Sequence, residues 1–176
     1  EQMQDGFVMI YSDVLFYEKV VSEVLQTQED IVLVIDSTYP THLDKHKPQK
    51  TRMELVIAKN QVSNEHYRML TPLTDLEIKM IGQRVSPDRA THEFAGIAYF
   101  SEEGADTLKK VYHEAKQKYA GKQFHEAATF ETASFTDIIQ EIIYMGFPVN
   151  IYEVNHGWQE IHNTHDYDHA LESLQC

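Results

Sequence analysis

The pattern of apolar and polar positions in the first part of the chain predicts two buried strands with a helix between them. Residues 6–10 (GFVMI) and 31–35 (IVLVI) are short, continuous apolar runs, which are typical of strands buried on both faces. Residues 13–28 carry apolar side chains at near-helical spacing, and Ser12 is a suitable N-cap for this helix. This strand–helix–strand order predicts a parallel α/β unit with a right-handed crossover.

The rest of the chain continues the pattern of strands and helices. Strands are predicted at 53–58, 76–85, 94–100 and 149–154, and helices after Ser101, after Thr136 and at 166–174. Residues 36–51 contain prolines and lysines with little periodicity, which predicts a loop. The sequence contains no internal repeat and no linker-like segment. We therefore predict a single α/β domain over residues 1–176.

Charge and composition narrow the classes of function. The chain has 15 Lys and Arg against 28 Asp and Glu, a net charge of −13, which repels a nucleic-acid backbone. A small site can still hold phosphates through a metal ion. Its apolar runs are too short to span a bilayer, and its start does not resemble a secretion signal. The single cysteine, Cys176, excludes a disulfide framework. We therefore expect a cytoplasmic protein that binds neither nucleic acid nor membrane.

Two positions stand out for chemistry. Asp13 closes the first predicted strand, and ligands of open α/β sheets bind at the carboxyl ends of strands. Asp13 can equally be an acid in the first turn of a helix, where it stabilises the helix dipole. Gly96 lies inside the predicted strand 94–100, and a glycine there often marks a bulge or the close approach of a ligand.

Three segments, in this order, resemble the nucleotidyltransferase superfamily. The first is the strand that ends YSD at residues 11–13, followed by IVLVID; the second is EFAGIA, beginning at Glu93; the third is the stretch from TDIIQEII at 136 to HDYDHA. The resemblance covers nearly the whole chain and is strongest to the cytidylyltransferase branch. It implies an α/β fold of the nucleotide-diphospho-sugar transferase type, with a mixed, mostly parallel sheet flanked by helices.

The sequence departs from this family at two places. The family opens with a glycine-rich LAAGxGxR-like loop, which is not found in these residues. The resemblance therefore implies the C-terminal part of a domain whose N-terminal nucleotide-binding segment is absent or supplied elsewhere. The family commonly closes its last core strand W-x-(D/E)-(I/V)-D, whereas here Trp158 and Glu160 are followed by His162 in place of the final acid.

The resemblance implies a metal-dependent transfer of a nucleotidyl group. Asp13 and Glu160 are then the catalytic carboxylates that hold Mg²⁺ or Mn²⁺, and His162 shares or replaces the role of Glu160. The implied partners are a nucleoside triphosphate, with CTP expected, and a phosphorylated small molecule: phosphocholine, a phosphonate or a sugar phosphate. A homodimer or fusion to an upstream domain is compatible with this. The alternatives are a non-catalytic binding or regulatory module, or a metal-dependent glycosyltransferase, although Asp13 lacks the second aspartate of a D-x-D motif.

The resemblance also points to residues that contact the acceptor. Glu93 and Gly96 lie in the segment that the family uses near the acceptor, where a carboxylate can hold a cationic head group. Tyr11, Trp158 and Tyr99 can line such a pocket through cation–π contacts. The alternative for Glu93 is an ordinary acid at a strand edge, and for the aromatic residues a place in the core.

Basic residues are the remaining candidates for phosphate contacts. They are Lys45, Lys47 and Lys50 in the predicted loop and Arg52 directly after it, with Arg84 and Arg89 further along the chain. The alternative is that they belong to a solvated loop.

Overall fold

The computed structural model describes residues 5–38, 53–59, 76–164, 166–168 and 170. Its strands are β1 Phe7–Ile10, β2 Val14–Phe16, β3 Ile31–Asp36, β4 Leu55–Ala58, β5 Ile78–Gly82, β6 His92–Phe100, β7 Asn150–Val154 and β8 Trp158–Glu160. Its helices are α1 Glu18–Val24, α2 Glu102–Tyr119 and α3 Phe135–Tyr144, with a short 3₁₀ helix at Phe130–Thr132. The predicted α/β fold, with a central mixed sheet flanked by helices, is confirmed.

The long strand β6 organises the main sheet, whose order is β5-β4-β6-β3-β7. Strand β3 pairs along one side of β6. On the other side, β4 pairs with the start of β6 and β1 pairs with its end. Of the five pairings among the described strands of this sheet, only β3–β7 is parallel. The expected parallel majority is therefore wrong here. β1 and β3 do point the same way, but the antiparallel strand β6 lies between them.

The predicted helix at 13–28 is replaced in part by a strand. Residues 14–16 form β2, which pairs with β8 in a separate two-stranded ribbon, and α1 begins only after Tyr17. Ser12 therefore does not cap a helix. The apolar residues of β2 satisfy a helical pattern equally well, and the partner that makes them a strand lies at the other end of the chain.

The two long helices begin with side-chain caps. Ser101 caps α2 and accepts a hydrogen bond from the Gly104 amide, as predicted. The cap of α3 is Ser134, two residues before the predicted Thr136, and Asp137 completes a capping box. The hydroxyl of Thr136 is therefore available for a different contact. Residues 166–168 are helical, as predicted for the terminal helix, and residues 171–174 lie outside the described part.

Apolar side chains pack on both faces of the main sheet. Helices α2 and α3 cover one face, and their cluster includes Leu33, Ile35, Phe94, Phe100, Ile139 and Ile142. Helix α1 packs on the other face, in a cluster with Val20, Val24, Val34 and Ile97. Within the described ranges, none of the helices combines the length and the apolarity that crossing a membrane requires. Polar residues collect at the sheet edge where β1 and β3 end and β6 begins.

Candidate functional site

The turn after β1 presents Asp13 at this sheet edge. The amide of Tyr11 donates to the carbonyl of Gly96 over 2.9 Å, and the amide of Val14 donates to the carbonyl of Tyr11 over 3.4 Å. These bonds fix residues 11–13 in a tight turn between β1 and β2. The side chain of Asp13 is 47% exposed, which leaves its carboxylate accessible to a ligand.

The β2–β8 ribbon brings the last strand to the same place. Val14 is paired with Glu160, and the amide of Ile161 donates to the carbonyl of Asp13 over 2.8 Å. His162 Nε2 lies 2.8 Å from Glu160 Oε2, and His162 Nδ1 lies 3.8 Å from Asp13 Oδ2. The imidazole thus lies between the two carboxylates, and the three predicted metal ligands are close together.

The side chains of Asp13, Glu160 and His162 suit a metal ion that keeps waters or substrate phosphates among its ligands. No set of three or more His, Cys, Asp and Glu side chains in the described ranges is arranged to hold a metal ion by itself. Mg²⁺ is usually bound by one or two carboxylates, with waters and substrate phosphates completing its octahedron. Asp13 and Glu160 are both partly exposed and fit that mode, whereas a closed cage of protein ligands does not fit.

Glu93 is a buried acid for which the described residues provide no hydrogen-bond partner. It lies near the start of β6, between Asp36 on β3 and Leu55 on β4, and is only 8% exposed. Burial, then the charges of Glu160 and Asp36, raises the pKa of Glu93 to about 8. Because β6 is paired on both sides here, Glu93 is not an ordinary strand-edge acid.

Asp36 holds Trp158 next to this region. The indole Nε1 of Trp158 donates to Asp36 Oδ2 over 2.8 Å. The other oxygen of Asp36 accepts hydrogen bonds of 2.6 Å from the amide and the hydroxyl of Thr38. Trp158 is half-buried and packs against the α1 side of the core. Its orientation is therefore set by a residue on the strand beside Glu93.

Gly96 lies in a bulge of β6, where the register to β3 shifts between Leu33 and Ile35. Its φ angle of +73° is one that glycine adopts readily, and a Cβ here would lie 2.9 Å from Tyr11 Cδ2. Of the two possibilities that the sequence left open for Gly96, the structure shows the bulge. The group that approaches Gly96 closely is the ring of Tyr11, which accounts for the glycine without a ligand.

Tyr11 is connected to two residues that sequence reasoning missed. Its hydroxyl donates to Glu54 Oε2 over 2.8 Å, and Thr136 Oγ1 donates to Glu54 Oε1 over 2.7 Å. Burial is the main cause that raises the pKa of Glu54 and also that of Tyr11. The one sequence signal for Glu54 is an acid at the start of an apolar strand (MELVIA).

Known proteins resemble this chain in fold rather than in sequence. No family model matches the sequence, and no curated protein matches it. The inositol-1-phosphate CTP transferase from T. maritima superposes with a TM-score of 0.61 at 17% identity, over 97% of this chain and 54% of that chain. The chain has a nucleotidyltransferase-like fold.

Two further solved structures share this nucleotidyltransferase-like fold. A candidate glucose-1-phosphate thymidylyltransferase from Bacillus anthracis has a TM-score of 0.57 at 16% identity, over 97% of this chain and 55% of that one. A nucleoside-diphosphate-sugar pyrophosphorylase from Vibrio cholerae has a TM-score of 0.56 at 11% identity, over 98% and 58%. The chain thus spans a little over half the length of these neighbours. At such identities the likeness shows the fold alone.

Some predicted site residues lie elsewhere in the nucleotidyltransferase-like fold. Tyr99 is near the far end of β6, opposite Val8 and Val32, six residues and roughly 20 Å of strand from Glu93. The guanidinium of Arg84 donates to the Glu126 carbonyl. Arg89 borders a separate cavity of about 340 Å³. The basic residues in and directly after the predicted loop lie outside the described residues: Lys45, Lys47, Lys50 and Arg52.

Proposed function

We propose that this chain forms the metal- and acceptor-binding part of a Mg²⁺-dependent nucleotidyltransferase. It transfers a nucleotidyl group, with CTP as the expected donor, to a phosphorylated small molecule and releases pyrophosphate. The observation that supports this most directly is the approach of Asp13, Glu160 and His162 to one another in a nucleotidyltransferase-like fold. Asp13 and Glu160 come from opposite ends of the chain, and the β2–β8 ribbon brings them together.

Nucleotidyl transfer requires the protein mainly to neutralise the charge of the phosphates and to align the reacting groups, rather than to form a covalent bond with the substrate. An oxygen of the acceptor phosphate attacks the α-phosphorus of the nucleotide, and the bond from that phosphorus to the β-phosphate oxygen breaks. Asp13 and Glu160 would hold Mg²⁺, which offsets the charge on the phosphate oxygens. His162, hydrogen-bonded to Glu160, orients that carboxylate and can also serve as a ligand to Mn²⁺.

The buried acid Glu93 supports an acceptor with a cationic group. A buried carboxyl without a partner is costly when ionised, and a bound ammonium group would offset that cost. Among the expected acceptors, phosphocholine and an aminophosphonate carry such a group, whereas a sugar phosphate does not. The indole of Trp158, held by Asp36, would add an aromatic surface for the cation. Gly96 contributes by making room for Tyr11, which lies under the same sheet edge.

A non-catalytic module with the same fold is the second candidate. It is favoured by one sequence observation: these 176 residues contain no glycine-rich loop to cradle the phosphates of a nucleoside triphosphate. We therefore expect no pyrophosphate release by this chain alone with CTP or UTP. Robust turnover would contradict that expectation and favour the enzyme directly.

The first experiment measures Mn²⁺ binding by electron paramagnetic resonance, with and without CTP, for wild type and Asp13→Asn. Removing a residue that hydrogen-bonds to a metal ligand typically weakens metal binding roughly 10–100-fold. Because Asp13 is proposed as a ligand itself, we expect its substitution to weaken Mn²⁺ binding at least as much. Asp88→Asn is the control, because Asp88 is an exposed aspartate in the turn before β6 and its substitution removes the same charge. Equal Mn²⁺ affinity in wild type and Asp13→Asn would exclude Asp13 as a ligand.

A further inference from the structure

Tyr11 is held at three points, and all three fix the turn that carries Asp13. Its amide donates to the carbonyl of Gly96, and its ring lies edge-on to Phe94 with 5.7 Å between the ring centroids. Its hydroxyl donates to the carboxylate of Glu54. The space for the ring exists because residue 96 has no side chain. Tyr11 is therefore part of the framework under the site.

Glu54 joins three elements at this point. It lies immediately before β4, accepts one hydrogen bond from Tyr11 after β1, and accepts another from Thr136 in the first turn of α3. Neither bond comes from a cation, and the described residues offer Glu54 no ion pair. The carboxyl also faces the charge of Glu160, which contributes to raising its pKa. A half-buried acid is thus bonded to two neutral hydroxyls beside the candidate metal ligands.

A backbone hydrogen bond joins the turn to the ribbon. The carbonyl of Asp13 accepts the amide of Ile161, directly after Glu160 in β8. A shift of residues 11–13 would therefore act on the carboxylates of both Asp13 and Glu160. The hydroxyl of Tyr11 lies at the far end of its side chain, so loosening it acts on the position of Asp13 through the backbone of this turn. Removing the Glu54 carboxyl also removes a charge that acts on Glu160, but Glu54→Leu and Glu54→Gln do this alike.

We infer that Glu54 is a positioning residue: together with Thr136 it anchors the hydroxyl of Tyr11 and so fixes the Asp13 turn against the β2–β8 ribbon. The metal part of this inference rests on the proposed function. The claim that Glu54 anchors the turn does not rest on it, because this claim concerns only how firmly residues 11–13 are held.

The experiment compares four variants. Tyr11→Phe removes only the hydroxyl, and Glu54→Leu removes the acceptor. Glu54→Gln retains a carbonyl for Tyr11 and an amide for Thr136, so it should preserve the anchor. Tyr152→Phe is the matched control, because the hydroxyl of Tyr152 donates to Glu23 in a similar tyrosine–glutamate pair, between β7 and α1, away from Asp13.

Two readouts separate this inference from the proposed function. Hydrogen exchange of the Ile161 amide, measured by NMR without metal, should be about tenfold faster in Tyr11→Phe and Glu54→Leu, relative to the amides of β3. Mn²⁺ affinity, measured with the metal alone, should fall about tenfold in the same two variants. Glu54→Gln and Tyr152→Phe should stay within about twofold of wild type in both measurements.

Two results would overturn the positioning role: unchanged Ile161 exchange in Tyr11→Phe, or equal effects of Glu54→Gln and Glu54→Leu. If wild type does not bind Mn²⁺, the metal site of the proposed function fails, and the exchange rates still decide whether Glu54 anchors the turn. Should Glu54→Leu fail to fold, Tyr11→Phe gives the same decision.

Discussion

The buried side chain of Glu93 should make the stability of this protein depend on pH. Its pKa is raised to about 8 by burial and by the charges of Glu160 and Asp36, above its ordinary value of 4.5. Between these values the folded state keeps a proton that the unfolded chain releases, so the free energy of unfolding falls as pH rises. Because glutamine does not ionise, Glu93→Gln should not lose stability in this way as the pH rises. Its stability relative to wild type should therefore increase from pH 5 to pH 8, by on the order of 3 kcal/mol.

Urea unfolding of both proteins at several pH values measures this difference. Glu102→Gln is the control, because Glu102 is exposed in the first turn of α2 and its substitution removes the same formal charge. A difference between Glu93→Gln and wild type that stays constant over this pH range would show that Glu93 ionises in the folded state as it does in the unfolded chain.

At the scale of the element, the bulge in β6 depends on Gly96. Gly96→Ala places a methyl group 2.9 Å from the ring of Tyr11 and forces alanine to a φ angle of +73°. Gly121→Ala is a matched control, because Gly121 has a φ angle of +65° and a methyl group there would meet nothing within 4 Å. Strain alone should cost about 1 kcal/mol in Gly121→Ala, and crowding should add roughly 1–3 kcal/mol in Gly96→Ala. Equal losses in thermal unfolding would show that the Tyr11 ring moves aside freely.

The elements also show which features the sequence could predict. The runs IVLVI and FAGIAYF are buried on both faces, and continuous apolarity predicted them as the strands that became β3 and β6. The short strand β2 was missed because its apolar residues fit a helix, and its partner β8 is distant in the chain.

Glu54 and Thr136 were missed for a similar reason: the hydroxyl–carboxylate contact joins two segments whose proximity only the folded sheet creates. The roles of Asp13, Glu160 and His162, and the single domain over residues 1–176, remain predictions.

At the scale of the whole molecule, the net charge of −13 opposes the compact state. Screening should relieve this repulsion, so raising NaCl from about 10 mM to 200 mM, which shortens the Debye length from roughly 30 Å to below 10 Å, should raise the melting temperature. A melting temperature that does not respond to NaCl would indicate that attractive pairs on the surface balance the repulsion.

A divalent ion should act on the molecule in two ways, and salt of equal ionic strength separates them. MgCl₂ screens charge as NaCl does, but a site that binds Mg²⁺ only in the folded state adds RT ln(1 + [Mg²⁺]/Kd) to the free energy of unfolding. At a free Mg²⁺ concentration of ten times Kd, this excess is about 1.4 kcal/mol. We expect Asp13→Asn to lose the excess and to keep the response to NaCl, because one exposed charge contributes little to the total. If wild type and Asp13→Asn gain equally from MgCl₂, the ion acts only through its charge, and the two carboxylates that the β2–β8 ribbon brings together do not form a specific site.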